Sequence, residues 1–391
     1  MATTLNKKKK IAIITGSRAE YGLLYWVIKS VHESPEYDLQ LCVTGMHLSE
    51  KFGNTIDNIK QDGFSIAAEV NIQLEDNSEQ GVSNSMALCI QGFSKIWPKL
   101  KPDLVIVLGD RFEILASVAS TIPFKIPIAH CHGGESTEGA FDDQIRHAIT
   151  KLSHLHFASS RRYADRIIQM GEPPENVFNV GAFGIESILN LNLLERKELE
   201  SQINFTFHKA NFLITYHPVT LSETSSKSQF QEVLRALENY KDTGFIFTYP
   251  NADNDSDGII ELIYEFAQNH AETSLVVKSL GQLRYLSSLK EVDLVIGNSS
   301  SGIIEVPYFK IPTINIGNRQ KGRDFPKSVI NCVCSAKEIK NSIDRSLSME
   351  FTKQLKDTKM IYGDGTVSKS VMKILNERIN SIQLNKPFYE K

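Results

Sequence analysis

The sequence predicts an α/β protein built on two parallel sheets, and three observations carry that expectation. Short β-branched runs recur, each closed by a turn signal and followed by a helical pattern. The scheme occurs twice, once in each half of the chain. At 391 residues the chain exceeds one ordinary core and suits two domains of roughly 150–200 residues each.

In the first half the runs are IAIIT (11–15), LQLCV (39–43), IAAEV (66–70), LVIVL (104–108), IPIAH (126–130) and LHFAS (155–159). Between them Leu23, Leu24, Val27, Ile28 and Val31 share one helical face, as do Ile145, Ala148, Ile149 and Leu152. Strands that are apolar throughout and alternate with helices are buried on both faces, which makes them parallel. The second half repeats this with FLITY (212–216), FIFTY (245–249), SLVVK (274–278), LVIG (294–297) and PTINI (312–316). Each sheet then has its own crevice where the strand order reverses. The stretch 184–208 reads as a helical connector. Val367, Val371, Ile374, Leu375 and Ile379 predict one last helix over 366–380. The expected division is a first domain over 1–185, a connector over 186–206, a second domain over 207–365, and a terminal helix over 366–391.

With 41% hydrophobic and 23% charged residues the composition is that of a soluble globular chain. A net charge of −3 gives no basic excess to suggest nucleic acid or an anionic membrane as the main partner. An anionic ligand would have to be met by local basic clusters. The start, MATTLNKKKK, leads into a run too short for a secretory signal, and no apolar run approaches the ~18 residues of a membrane span. The five cysteines, Cys42, Cys89, Cys131, Cys332 and Cys334, are odd in number and form no CxxC pair. A reduced, cytoplasmic protein is the expectation. Cys332 and Cys334 alternate along an expected strand, where packing explains them.

GSRAEYG (16–22) directly follows the first run. A strand, a glycine turn and a helix start present N–H groups to an anion, and Arg18 offers a guanidinium fork for phosphate. A plain turn with a surface arginine would read the same. The absence of G-x-G-x-x-G here, and of G-x-x-x-x-G-K-[ST] anywhere, disfavours dinucleotide and P-loop chemistry. In VLGDRFE (107–113) the strand stops at Gly109, so Asp110 falls at the carboxyl end of a parallel strand, where open α/β sheets place ligands. An aspartate there would also serve as a helix cap.

The densest stretch is HCHGGESTEGAFDDQIRH (130–147). His130 and His132 alternate on one face of a strand that ends at Gly133–Gly134. Glu135 follows, and Asp142, Asp143, Arg146 and His147 open the next helix. The spacing matches no compact zinc pattern. General acid–base work fits carboxylates crowded beside imidazoles at a sheet edge. In the second half, His217 stands just past a strand and before a proline. Asn298, Ser299, Ser300 and Ser301 then form a hydroxyl-rich turn, with Gly302 to Val306 beginning a helix and Glu305 one turn inside it. Free N–H groups and hydroxyls make a diphosphate cradle, and Arg319, Lys321 and Arg323 supply the positive field.

GSRAEYG, TGMH (44–47), LGDRFE, HCHGGE, DDQIRHAITKLSHLHF, HPVT, GNSSSGIIEVP and INIGNRQKGR occur in order across nearly the whole chain. Together they resemble the hydrolysing UDP-N-acetylglucosamine 2-epimerases of bacterial sialic-acid pathways. The resemblance implies a GT-B fold, two Rossmann-like domains with an interdomain cleft and a last helix that crosses back to the first domain. It implies a glycosyl-hydrolase-type enzyme without metal or cofactor, acting on a UDP-sugar as a homodimer or homotetramer. Asp110, Asp142 and His217 fall on the family's catalytic positions. Several members carry a catalytic glutamate where this chain has His132, so either Glu135 or His132 itself fills the second acid/base role. The substrate contacts implied are Arg18, Ser299, Ser300, Glu305 and Arg319, with Arg111, His132, Asn298 and Arg323 beside them.

The implied reaction has two halves. A base removes the proton at carbon 2 while UDP leaves carbon 1, giving 2-acetamidoglucal. Water then adds with the opposite configuration, releasing N-acetylmannosamine. A sister activity on UDP-N,N′-diacetylbacillosamine shares these motifs, and a binding protein that kept the fold without the chemistry is the non-enzymatic alternative. A non-hydrolysing epimerase would usually show R-P-E after the first strand, where this chain has SRAE.

Overall fold

The computed structural model describes residues 8–50, 53–76, 78–136, 142–218, 225–250 and 256–390. Thr137 to Phe141 of the acid- and histidine-rich stretch, and Val219 and Thr220 of HPVT, lie outside the described residues. The chain divides into two compact units, one of residues 1–136, 140–187 and 362–391, the other of 137–139 and 188–361.

The first unit carries seven parallel strands. In chain order they are β1 (Lys9–Thr15), β2 (Tyr37–Thr44), β3 (Ile66–Val70), β4 (Leu104–Leu108), β5 (Ile128–Cys131), β6 (Leu155–Ala158) and β7 (Val177–Asn179). In space they run β3-β2-β1-β4-β5-β6-β7. The order reverses between β1 and β4, so the crevice opens beyond Thr15 and Leu108. Alternation along β1 shows how both faces are filled. Ile11 and Ile13 pack with Leu24, Val27, Ile28 and Val31 of helix Arg18–Glu33 and with Val371 and Leu375 of helix Val367–Arg378. Ala12 and Ile14 face Cys89, Phe93, Trp97 and Val118 on the other side. Each fully buried aliphatic side chain contributes roughly 1.5–3 kcal/mol, so these two layers hold the strand ends in place.

The second unit has six parallel strands, β8 (Ala210–Thr215), β9 (Thr243–Thr248), β10 (Ser274–Val277), β11 (Leu294–Gly297), β12 (Thr313–Ile316) and β13 (Val329–Cys332). Their order, β10-β9-β8-β11-β12-β13, reverses between β8 and β11. Phe212, Ile214 and Tyr216 enter one apolar layer and Leu213 the other.

Several expectations need correction. β5 ends at Cys131, and His132 lies beyond it at φ +64°, so the two histidines do not share a strand face. β13 ends at Cys332 and leaves Cys334 outside it. The helix after the serine turn is a single turn, Ser301–Ile304, and Glu305 sits at its junction with a 3-10 turn over Val306–Phe309. Pro307 explains the break, since it cannot donate the next helical hydrogen bond. β7, three residues long, is too short to announce itself by periodicity. Among the described residues no helix is long and apolar enough to cross a membrane.

Candidate active site

The carboxyl edge of the first sheet gathers most of the acid/base candidates. Gly109 takes φ +85°, a left-handed turn that favours glycine, and this ends β4 and turns the chain to Asp110. His130 pins that turn from β5. Its Nε2–H donates to the Gly109 carbonyl at 2.8 Å, and the Thr150 hydroxyl donates to Nδ1 at 3.1 Å. The ring is fully buried, and burial pushes its pKa down to about 3. His130 is therefore a neutral strut, which removes it from the acid/base set that the sequence suggested.

Asp110 is held by Arg146, four residues into helix Asp142–Leu152. The guanidinium is almost buried and joins several groups. Nη2 donates to Asp110 Oδ2, while Nη1 donates to Asp143 Oδ1 at 2.8 Å and to the Glu135 carbonyl at 3.0 Å. A planar fork can serve such divergent acceptors, where a lysine could not. In the sequence Arg146 reads only as part of a helix start. The spacing carried no sign that it would organise Asp110, 36 residues away.

Glu135 and His132 form a second group. Glu135 Oε1 accepts from the Ser159 hydroxyl at 2.6 Å and lies 3.1 Å from His132 Nδ1. The Phe183 N–H donates to His132 Nε2 at 3.2 Å, so the ring proton sits on Nδ1 and points at the carboxylate. The left-handed backbone of His132 is costly for a β-substituted residue, roughly 1–3 kcal/mol, and such strain gathers at functional sites. The double glycine is steric. A Cβ on Gly133 would stand 2.9 Å from His130 Nδ1 and from Thr150 Oγ1, and one on Gly134 would stand 2.4 Å from the Tyr163 carbonyl. Arg111, flanking Asp110, gives its Nε–H to Glu113 Oε1 at 2.6 Å. Asp142 opens its helix partly buried, and Arg18 is exposed at the start of helix Arg18–Glu33.

In the second unit the corresponding edge is built around Asn298. Its Oδ1 accepts from the His217 N–H at 2.7 Å and its Nδ2 donates to the His217 carbonyl at 2.8 Å. The Asn298 carbonyl accepts from Arg319 Nη1 at 3.1 Å and from Gln320 Nε2 at 2.8 Å. Asn298 is fully buried with both amide ends engaged, so its side chain holds the His217 backbone while its carbonyl takes Arg319. His217 is 7% exposed, and burial, then the Arg319 charge, pushes its pKa down to about 3. A neutral imidazole results. Ser299 and Ser300 are partly exposed on the turn. Ser301, the last residue of the expected cradle, pairs with the Tyr285 hydroxyl. Arg323, partly buried, lies in the turn after β12. Among the described residues no group of three or more His, Cys, Asp or Glu could hold a metal ion.

The chain has relatives among known proteins. Residues 29–376 match the family model described as UDP-N-acetylglucosamine 2-epimerase. The GDP/UDP-N,N′-diacetylbacillosamine 2-epimerase (hydrolyzing) of Campylobacter jejuni is 40% identical over 83% of this chain and 84% of that protein. The polysialic acid biosynthesis protein P7 of Escherichia coli is 39% identical over 98% and 97%. The crystal structure of UDP-GlcNAc 2-epimerase from Neisseria meningitidis bound to UDP-GlcNAc superposes with a TM-score of 0.75 at 16% identity, over 94% of this chain and all of that one. The fold class, two Rossmann-like sheets of the GT-B type in one chain, is thereby shared.

Proposed function

The chain belongs to the UDP-N-acetylglucosamine 2-epimerase family, and from that premise we propose that it converts UDP-GlcNAc and water to N-acetylmannosamine and UDP. The observation that carries the reading is the buried Arg146 fork, which gathers Asp110, Asp143 and the Glu135 backbone at the crevice of the first sheet.

In the elimination half, the carbon 2 proton moves to a base, the C1–O bond to UDP breaks, and the electron pair forms the C1=C2 bond. In the hydration half, the hydroxyl of water bonds to carbon 1 and a proton returns to carbon 2 on the opposite face. Positive charge develops at carbon 1 as UDP leaves, and a carboxylate stabilises it as in glycoside cleavage. We assign that task to Asp110 or Asp142. Glu135 with the Nδ1–H of His132 supplies an acid/base dyad in which the carboxylate accepts and the ring steadies it. The departing diphosphate we assign to Arg18, Arg111, Arg319, Arg323 and the hydroxyls of Ser299 and Ser300, with Glu305 accepting from a ribose diol. Oriented donors of this kind act where charge appears in the transition state. We assign His217, held neutral by burial, to the catalytic set as a hydrogen-bonding group.

A second reading has support of its own: the Campylobacter relative at 40% identity is named for UDP-N,N′-diacetylbacillosamine. Turnover on the two UDP-sugars, side by side, separates them. Incubation with UDP-GlcNAc in deuterated water, followed by NMR, tests the chemistry. Deuterium at carbon 2 of free N-acetylmannosamine is the expected result. Product without deuterium would exclude the elimination route, and UDP release that stops at one per protein would reduce the chain to a binding protein.

A further inference from the structure

Two carboxyl groups are buried against one glycine at the β1–β4 crevice. Glu20 is 5% exposed and Glu113 is 0%. A Cβ added to Gly16 would stand 2.9 Å from Glu113 Oε1 and 3.3 Å from Glu20 Oε2, so both acids crowd the same backbone atom. Each has one oxygen engaged: the Gly16 N–H donates to Glu20 Oε2 at 2.7 Å, and Arg111 Nε donates to Glu113 Oε1 at 2.6 Å. Glu20 Oε1 and Glu113 Oε2 remain buried without a hydrogen-bond partner. Two carboxylates cannot both stay charged so close together in a dry site, and one guanidinium balances only one of them. A single proton on the pair restores neutrality with Arg111.

We propose that Glu20 and Glu113 act as one singly protonated pair that positions Arg111 and the Gly16–Arg18 turn for the ligand. Glu20 and Glu113 are positioning residues, since they act through the turn and through Arg111. The ligand's identity rests on the function proposed above. Burial first, then the Glu113 charge, pushes the Glu20 pKa up to about 8. Arg111 lowers it and Asp110 raises it from the turn after β4. Asp142 acts on Arg111 from the start of the next helix. On the neighbouring 3-10 turn His47, held between Thr15 and Thr55, is pushed down to about 4 and stays neutral. The Cys89 thiol, against the Glu113 carbonyl, is pushed up to about 12 and stays protonated.

The test compares wild type, Glu20→Gln and Glu20→Ala by pH–rate profile and by urea unfolding across pH 5–9.5. Glutamine copies a neutral acid, and its carbonyl can accept from Gly16. Glu20→Ala should lower kcat/KM at least about tenfold at pH 7, and Glu20→Gln should recover most of that and keep its rate above pH 8, where the wild type falls. The folded protein holds the proton more tightly than the unfolded chain. The pair's stability is therefore whole below about pH 4.5 and is lost as pH rises through about 8, so the Glu20→Gln unfolding curve should be flatter over that window. A glutamine variant no better than alanine, or one with the wild-type alkaline limb and the wild-type stability curve, would overturn the proposal. If no UDP-sugar is turned over, the functional reading fails, while the unfolding curves still decide the pair.

Discussion

Asn298 binds both the N–H and the carbonyl of His217, 81 residues earlier in the chain, and so ties the end of β11 to the end of β8. The amide acts as a one-residue strand extension across the crevice of the second sheet. Replacing it with alanine removes the side-chain partner of both His217 backbone groups. Asn298→Ala should lose about 2–6 kcal/mol of stability, from roughly 1–3 kcal/mol per lost partner, and should weaken UDP binding, because the main-chain carbonyl to which Arg319 donates loses its fixed position. Urea unfolding and calorimetric titration with UDP check both; a variant that binds UDP as tightly as wild type would exclude the role.

His130 and His217 bear on acid stability. Both have folded-state pKa values near 3 because burial penalises the charged ring. Unfolded histidine titrates near 6.5, so the unfolded chain binds more protons in between. Their contribution is whole above pH 6.5 and is lost as pH falls toward 3, at up to about 1.4 kcal/mol per pH unit for each ring. His217→Gln should make the decline in unfolding free energy between pH 6.5 and 4 shallower. An NMR titration should find the His217 ring unchanged from pH 8 to 5, and a midpoint near 6.5 would disprove its buried neutral state.

Arg146 should resist even conservative replacement. Arg146→Lys keeps the charge but cannot serve Asp110, Asp143 and the Glu135 carbonyl together. The variant should fold, with kcat reduced at least about tenfold, or 1.4 kcal/mol in the barrier. Arg146→Ala removes the almost buried guanidinium shared by Asp110 and Asp143 and should lose about 3–5 kcal/mol of stability. Steady-state kinetics with wild-type kcat for the lysine variant would mean that Asp110 needs no such orientation.

Two glycines should differ in a way that only the structure predicts. Gly297 has φ +143°, and a Cβ there would fall 1.8 Å from the Thr215 carbonyl. Gly109, at φ +85°, has nothing within 4 Å of the added atom. Gly109→Ala therefore bears only the left-handed penalty, roughly 1–2 kcal/mol. Gly297→Ala adds a backbone collision, for a total of roughly 2–6 kcal/mol. Thermal unfolding of the two variants in parallel would show the order, and equal losses would argue against the close approach of β8 and β11.

The strands and the loops that follow them were legible because their signals are local. Apolar runs, a turn glycine and the next helical face lie within twenty residues of each other, as from Ile11 to Val31 or from Leu104 to Val118. Carboxyl-end placement of Asp110 and His217 follows from that order alone. Glu20 was not legible: nothing in GSRAEYG shows that its carboxyl reaches back to the Gly16 N–H and crowds Gly16 together with Glu113.

What the tertiary structure decided is partnership and charge. Arg146 finds Asp110, Asn298 finds His217 and the Phe183 N–H finds His132 only when distant segments meet at a sheet edge. His130 and His132 look equivalent two residues apart, yet one is a sealed neutral strut and the other faces Glu135 from a left-handed turn. Residue type and spacing are properties of the chain, whereas desolvation depends on everything packed around a group. The amino-acid order therefore determined which chemistry could be assembled, and burial selected the groups left in a state to perform it.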